Sequence, residues 1–94
     1  MGDEFAWDEL KAASNLLKHG VSFERAIGAF YDPFAVEILD TRADYGEERS
    51  ILIGQAGLEH LTVVYTERED KIRIISARRA NRDERNYYHR ANAK

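Results

Sequence analysis

Residues 49–77 hold three runs rich in β-branched side chains, RSILIGQ (49–55), HLTVVYTE (60–67) and KIRIISA (71–77). β-Branched residues are stiff at χ1 and pack well on a pleated surface, so each run reads as a strand. The turns AGLE and REDK between them are too short for a crossover, which makes successive strands antiparallel. FAVEILD (34–40) adds a plausible first strand, followed by the polar loop TRADYGEE. In KIRIISA the alternation puts Ile72 and Ile74 on one face and Arg73 on the other, with Ile75 sharing the arginine's side.

Helical periodicity flanks this meander. DELKAASNLLKHG reads as a helix with Asp8 as its cap, Gly20 as its stop and Leu10, Ala13, Leu16 and Leu17 as its apolar stripe. Ser22 caps a second, shorter helix, SFERAIGAFYD, with Phe23, Ala26, Ile27 and Phe30 on one side, and Asp32-Pro33 ends it because the residue before proline disfavours αR. Asn81 with Glu84 forms an N-x-x-E start for a last helix that runs through Tyr88 or beyond. The expected fold is α+β, with its helices packed on one face of the sheet: two N-terminal helices, a four-stranded, mainly antiparallel sheet and a C-terminal helix, the other face being left to solvent or a ligand. At 94 residues the chain has room for one domain, read as 1–94.

Composition narrows the function classes. There is no cysteine, which rules out disulfides and thiolate metal sites. His19, His60 and His89 are far apart in sequence and make no i, i+4 pair, so no metal site and no cofactor is expected. Walker A, G-x-G-x-x-G and G-x-S-x-G patterns are absent. No apolar run approaches the roughly 20 residues of a membrane span, and MGDEF has no basic or apolar leader character, so a cytoplasmic location is expected.

Charge is the informative feature. Residues 1–70 hold 6 Lys/Arg against 15 Asp/Glu, and residues 71–94 hold 8 against 2, so a chain of net charge −3 divides into −9 and +6. Such asymmetry points to a polyanionic partner for the basic part, with local ion pairing as the competing reading. In RIISARRANRDER (73–85), Arg78 and Arg79 follow the last strand, and Arg82 and Arg85 share one face of the last helix. Guanidinium groups bind phosphate bidentately and stay charged at any relevant pH. Tyrosines beside arginines suit RNA, as stacking platforms or proton carriers. Arg49, at the start of the second strand, Tyr65, Tyr87 and Tyr88 are candidates, although either of the adjacent tyrosines could pack on the sheet instead. His19, in KHG at the end of the first helix, is either a helix-end cap or a proton carrier.

FAWDELKAASNLLKHGVSFERA, YGEERSILIG, VVYTER and RIISARRANRDERNYY resemble the BrnT toxin family over residues 5 to 88, with W-D-x-x-K, K-H-G-V-S-F, G-E-x-R, Y-T-E-R and R-I-I-S-A-R-R-A in order. Ala6, where the family has an acidic residue, and the tail HRANAK depart from the pattern without touching those motifs. The resemblance implies a RelE-like fold and the toxin of a type II toxin–antitoxin pair, a ribonuclease that cleaves RNA without a metal and inhibits translation. It implies neutralisation by a BrnA-type ribbon–helix–helix antitoxin, with operator DNA contacted only through the complex. RelE-like sites use basic residues on central strands, an arginine after the last strand and a C-terminal tyrosine. Residues of those types here are Arg49, Arg78 or Arg79, and Tyr88, with His19 as a further candidate for proton transfer. Lys18, Tyr65, Arg73, Arg82 and Arg85 are the expected RNA contacts. A binding module without chemistry, acting in operon autoregulation, is the alternative.

Overall fold

The computed structural model describes residues 4–42, 44 and 46–93. Tyr45 of the TRADYGEE loop and Lys94 of the tail lie outside the described residues. The elements in chain order are β1 (Glu4–Ala6), α1 (Glu9–His19), α2 (Phe23–Phe30), β2 (Val36–Leu39), β3 (Ser50–Ala56), β4 (Glu59–Arg68), β5 (Lys71–Arg79) and α3 (Arg82–Asn92). None of these helices is long and apolar enough to cross a membrane.

The class is α+β, and the meander β2-β3-β4-β5 pairs antiparallel as its short turns require. The sheet nevertheless has five strands, in the order β1-β5-β4-β3-β2, and is mixed. The added strand, Glu4–Ala6, runs parallel to Lys71–Arg73. Three residues are too few for an alternation to show in sequence, so the expected four-stranded sheet missed it.

The two faces of the sheet are covered differently. Leu52, Leu61, Val63, Tyr65, Ile72 and Ile74 form one core with Val21, Phe23, Ala26 and Ala29 from the α1–α2 side. α2 comes so close that a Cβ on Gly54 would stand 2.5 Å from the Ala29 carbonyl oxygen. Ile53 points the other way, into a second cluster with Ala80 and Tyr88 that is flanked by Val36. α3 therefore lies across the opposite face, which corrects the expectation of helices on one face only. Its capping box is formed, with Asn81 Oδ1 accepting from Glu84 N and Glu84 Oε1 accepting from Asn81 N, both at 2.8 Å.

The stripe expected for α1 is the other correction. Leu10 and Leu17 are 83% and 91% exposed and Leu16 49%, whereas Asn15 is buried. The reason is a polar demand at the edge of β5. β1 covers β5 only as far as Arg73, and α1 meets the strand beyond it. There the Asn15 amide behaves as a missing strand, donating to the Ala77 carbonyl at 2.8 Å and accepting from Ala77 N at 3.2 Å. It also donates to Val21 O at 3.0 Å. Buried backbone groups need partners, and the Asn15 amide beside the small Ala12 supplies them where leucines would not. Asn15→Ala should therefore cost about 2–4 kcal/mol in a denaturant melt, since it removes three bonds and strands Ala77's N–H and C=O. A loss below about 0.5 kcal/mol would show that water replaces the amide.

Candidate active site

Alternation along β5 separates the two adjacent arginines. Ala77 pairs with Val63, Arg78 with Thr62 and Arg79 with Leu61. Val63 and Leu61 belong to the core beneath α1 and α2. Arg79 therefore turns to that side, where Nε donates to Glu59 Oε2 at 2.9 Å and Nη1 to the His19 carbonyl at 3.2 Å. Arg25 from α2 shares Glu59. Arg78 turns to the α3 side and makes a two-pronged pair with Glu84, both contacts at 2.8 Å. The ion-pairing reading thus holds for both, with different remainders. Arg79 is 54% exposed against 36% for Arg78. Of the five N–H donors of a guanidinium, the contacts on Arg79 use two, which leaves a free edge for an anion.

A bulge shapes the neighbouring surface. Opposite Val64 and Tyr65, β5 carries Ser76 and Ile74, so Ile75 is the extra residue. Bulges bend a strand and re-aim side chains, and they are frequent beside active sites. Ile75 and Ser76 form one wall of a shallow cleft of about 210 Å³, and Lys11, Ser14, Asn15, Lys18 and His19 of α1 form the other. Lys11 and Lys18 are seven residues apart and share a helix side. Neither forms an ion pair among the described residues, nor does Arg73 on β5. An imidazole, two unpaired ammonium groups and two hydroxyls thus line a cleft at the edge that ends in Arg79. This arrangement can hold a phosphodiester and move a proton beside it.

The other expected residues fall elsewhere. Arg49 precedes β3 and lies 3.4 Å from Glu47, at the end of the sheet where Ser50 pairs with Tyr65, remote from the Thr62–Arg78 end. Arg82 and Arg85 lie on α3 without an ion pair among the described residues. Arg85 donates to Ala80 O at 2.7 Å and lines a separate pocket of about 200 Å³ with Arg79, Glu59, Leu58 and His60. Tyr65 is buried in the α1–α2 core, stacked edge-on to Phe30 and bonded to Glu37, so it presents no surface to RNA.

Tyr88 is also interior. It is 5% exposed and donates to Asp32 Oδ2 at 2.6 Å, which ties α3 to the loop after α2. Burial and the Asp32 carboxylate push its hydroxyl up to about 12, away from proton transfer at neutral pH. Asp32 itself sits below the usual carboxylate range: burial opposes this, but bonds from Tyr88, Gln55 N and Phe34 N outweigh it. Against this cluster stands His60, whose buried Nε2 has no hydrogen-bond partner among the described residues. Burial, with His89 and Arg85 nearby, holds His60 below its ordinary value.

Sequence reasoning missed Lys11, Ser14 and Ser76. The heptad spacing of Lys11 and Lys18 was a visible signal, but the bulge that aims Ser76 left no trace in the alternation.

Glu84 is the electrostatic anchor of this region. Burial raises its carboxyl, but bonds from Arg78, Asn81 N and the Thr62 hydroxyl prevail and hold it at about 2, against 4.5 ordinarily. A carboxyl lowered on folding stabilises above its unfolded value and stops doing so as the pH falls through the folded one. The clamp should therefore be intact above about pH 5 and fade towards pH 2, weakening stability by on the order of 1–2 kcal/mol after solvent screening. Comparison of acid melts of wild type and Glu84→Gln checks this: the variant should lose that part of the pH dependence.

Among the described residues no group of three His, Cys, Asp or Glu side chains could hold a metal ion. No curated protein matches the chain. The family model described as the ribonuclease toxin BrnT of a type II toxin–antitoxin system matches residues 7–84. With the fold, the basic cleft and a match over most of its length, the chain belongs to the BrnT family of ribonuclease toxins.

Proposed function

We propose that the protein cleaves RNA by in-line attack of a ribose 2′-OH on the adjacent phosphate, without a metal, in the cleft between α1 and β5. The observation that carries this is that Arg79 reaches the backbone carbonyl of His19, sixty positions away, at the end of a cleft that His19 lines beside the unpaired Lys11 and Lys18. Lys11, Lys18 and Arg73 hold the RNA backbone. The free edge of Arg79 takes a non-bridging oxygen and stabilises the charge that builds on phosphorus, which is usually the largest catalytic term. His19 takes the 2′-OH proton or delivers one to the departing 5′-oxygen. Arginine stays protonated at neutral pH, so it serves the phosphate and leaves proton transfer to the imidazole.

Arg78, held two-pronged by Glu84, positions α3 beside the site, and Arg82 and Arg85 extend the basic track along that helix. Arg49 orients RNA farther along the sheet. Tyr88 acts through the fold. In the cell, cleavage stops translation, and a BrnA-type ribbon–helix–helix antitoxin neutralises the toxin and brings the complex to operator DNA. A cytoplasmic location accords with an RNA substrate and an operator-binding antitoxin. Purified protein incubated with messenger RNA should shorten it and stop a cell-free translation reaction. Retention of intact RNA would instead make the chain a binding module acting in operon autoregulation.

A further inference from the structure

α1 presents an apolar ridge to solvent. Leu10 and Leu17 are seven residues apart, 83% and 91% exposed, with Ala13 between them and Leu16 half-exposed beside them. Isolated exposed leucines are ordinary, but a heptad pair on the outer face of one helix forms the contact stripe that a second helix uses. The two flanks of the ridge differ in charge. On one side lies the cleft with Lys11 and Lys18. On the other is a groove between α1 and α2, about 190 Å³, lined by Ala12, Ala13, Leu16 and Phe23, with Glu9 and Glu24 at its rim.

We infer that this ridge is the docking site of the antitoxin, through an amphipathic helix with apolar residues a heptad apart and carboxylates along one flank. The identification of the partner rests on the toxin–antitoxin reading; the chemistry of the surface does not. Helix-in-groove recognition uses apolar anchors for affinity, and charge along the rim fixes orientation. The helix must lie with its carboxylates over Lys11 and Lys18, because the opposite flank would meet Glu9 and Glu24. An antiparallel twofold pairing of two copies through α1 sets one lysine row against the other, so self-association is limited to a parallel pairing, which the test below reads as a dimer. In the antitoxin complex, carboxylates then occupy the two ammonium groups that hold the RNA backbone, so neutralisation is competition at the cleft mouth.

The test is calorimetric titration of the antitoxin expressed from the same operon into wild-type toxin and into Leu10→Ser/Leu17→Ser. Both leucines project into solvent, so the variant keeps its circular dichroism spectrum and its cleavage of RNA when alone. Its affinity for the antitoxin should fall by at least about 100-fold, the loss expected from two unburied leucine side chains. Inhibition of cleavage should fall with it. Unchanged affinity would overturn the inference, as would a wild-type dimer that the two substitutions convert to a monomer with antitoxin binding intact. Calorimetry reads docking whether or not RNA is cleaved, so a toxin that binds its antitoxin and cleaves nothing would count against the ribonuclease reading alone.

Discussion

Arg79→Ala should lower the rate of RNA cleavage by about 10²–10³-fold, the loss measured elsewhere when one well-placed donor to a developing oxyanion is removed. The fold should survive. Glu59 keeps Arg25 as a partner, and the His19 carbonyl, at an exposed helix end, can exchange the guanidinium for water. An exposed ion pair of this kind is worth about 0–1 kcal/mol, so the melting curve should barely move. The expected signature is therefore a large kinetic loss with unchanged stability, read by single-turnover cleavage beside a denaturant melt. A folded Arg79→Ala protein that cleaves at the wild-type rate would remove Arg79 from the site.

His19→Gln should cost about 10²–10⁴-fold, the usual worth of a positioned general acid or base. The substitution leaves the backbone carbonyl that anchors Arg79, so it separates the imidazole's chemistry from the position of the arginine. RNA should still bind, because Lys11 and Lys18 are untouched. The bound fraction in a filter assay should stay near the wild-type value while the cleavage rate collapses. If cleavage persists at full rate, the proton is moved by another group, and His19 reverts to capping a helix end.

The meander was legible because short turns and β-branched runs leave little choice of pairing, and the caps Asp8, Ser22 and Asn81 stand where their residue types predict. Periodicity failed at α1. Its leucines are spaced like a core stripe, yet the helix docks through Ala12 and Asn15 because the edge of β5 demands hydrogen bonds rather than methyl groups. No pattern on one helix reveals the needs of a strand sixty residues away. The candidate site was half visible. Charge counting found the arginines, and their adjacency on β5 put Arg78 and Arg79 on opposite faces, but the Ile75 bulge resets the phase, so the pattern from Ile72 and Ile74 did not show which face each takes. Tyr65 read as a surface group beside arginines and Tyr88 as either that or sheet packing; each hydroxyl finds a carboxylate across the fold, Glu37 and Asp32, and the rings fill the two cores.

The central claim is that an imidazole and an arginine at the α1–β5 cleft drive attack by the neighbouring 2′-OH. The most direct measurement is the chemical identity of the new RNA ends formed by purified protein in the presence of EDTA. Attack by the 2′-OH leaves fragments ending in 2′,3′-cyclic phosphate with 5′-hydroxyl partners, formed as fast as without the chelator. Fragments bearing 5′-phosphates, or cleavage abolished by EDTA, would contradict it.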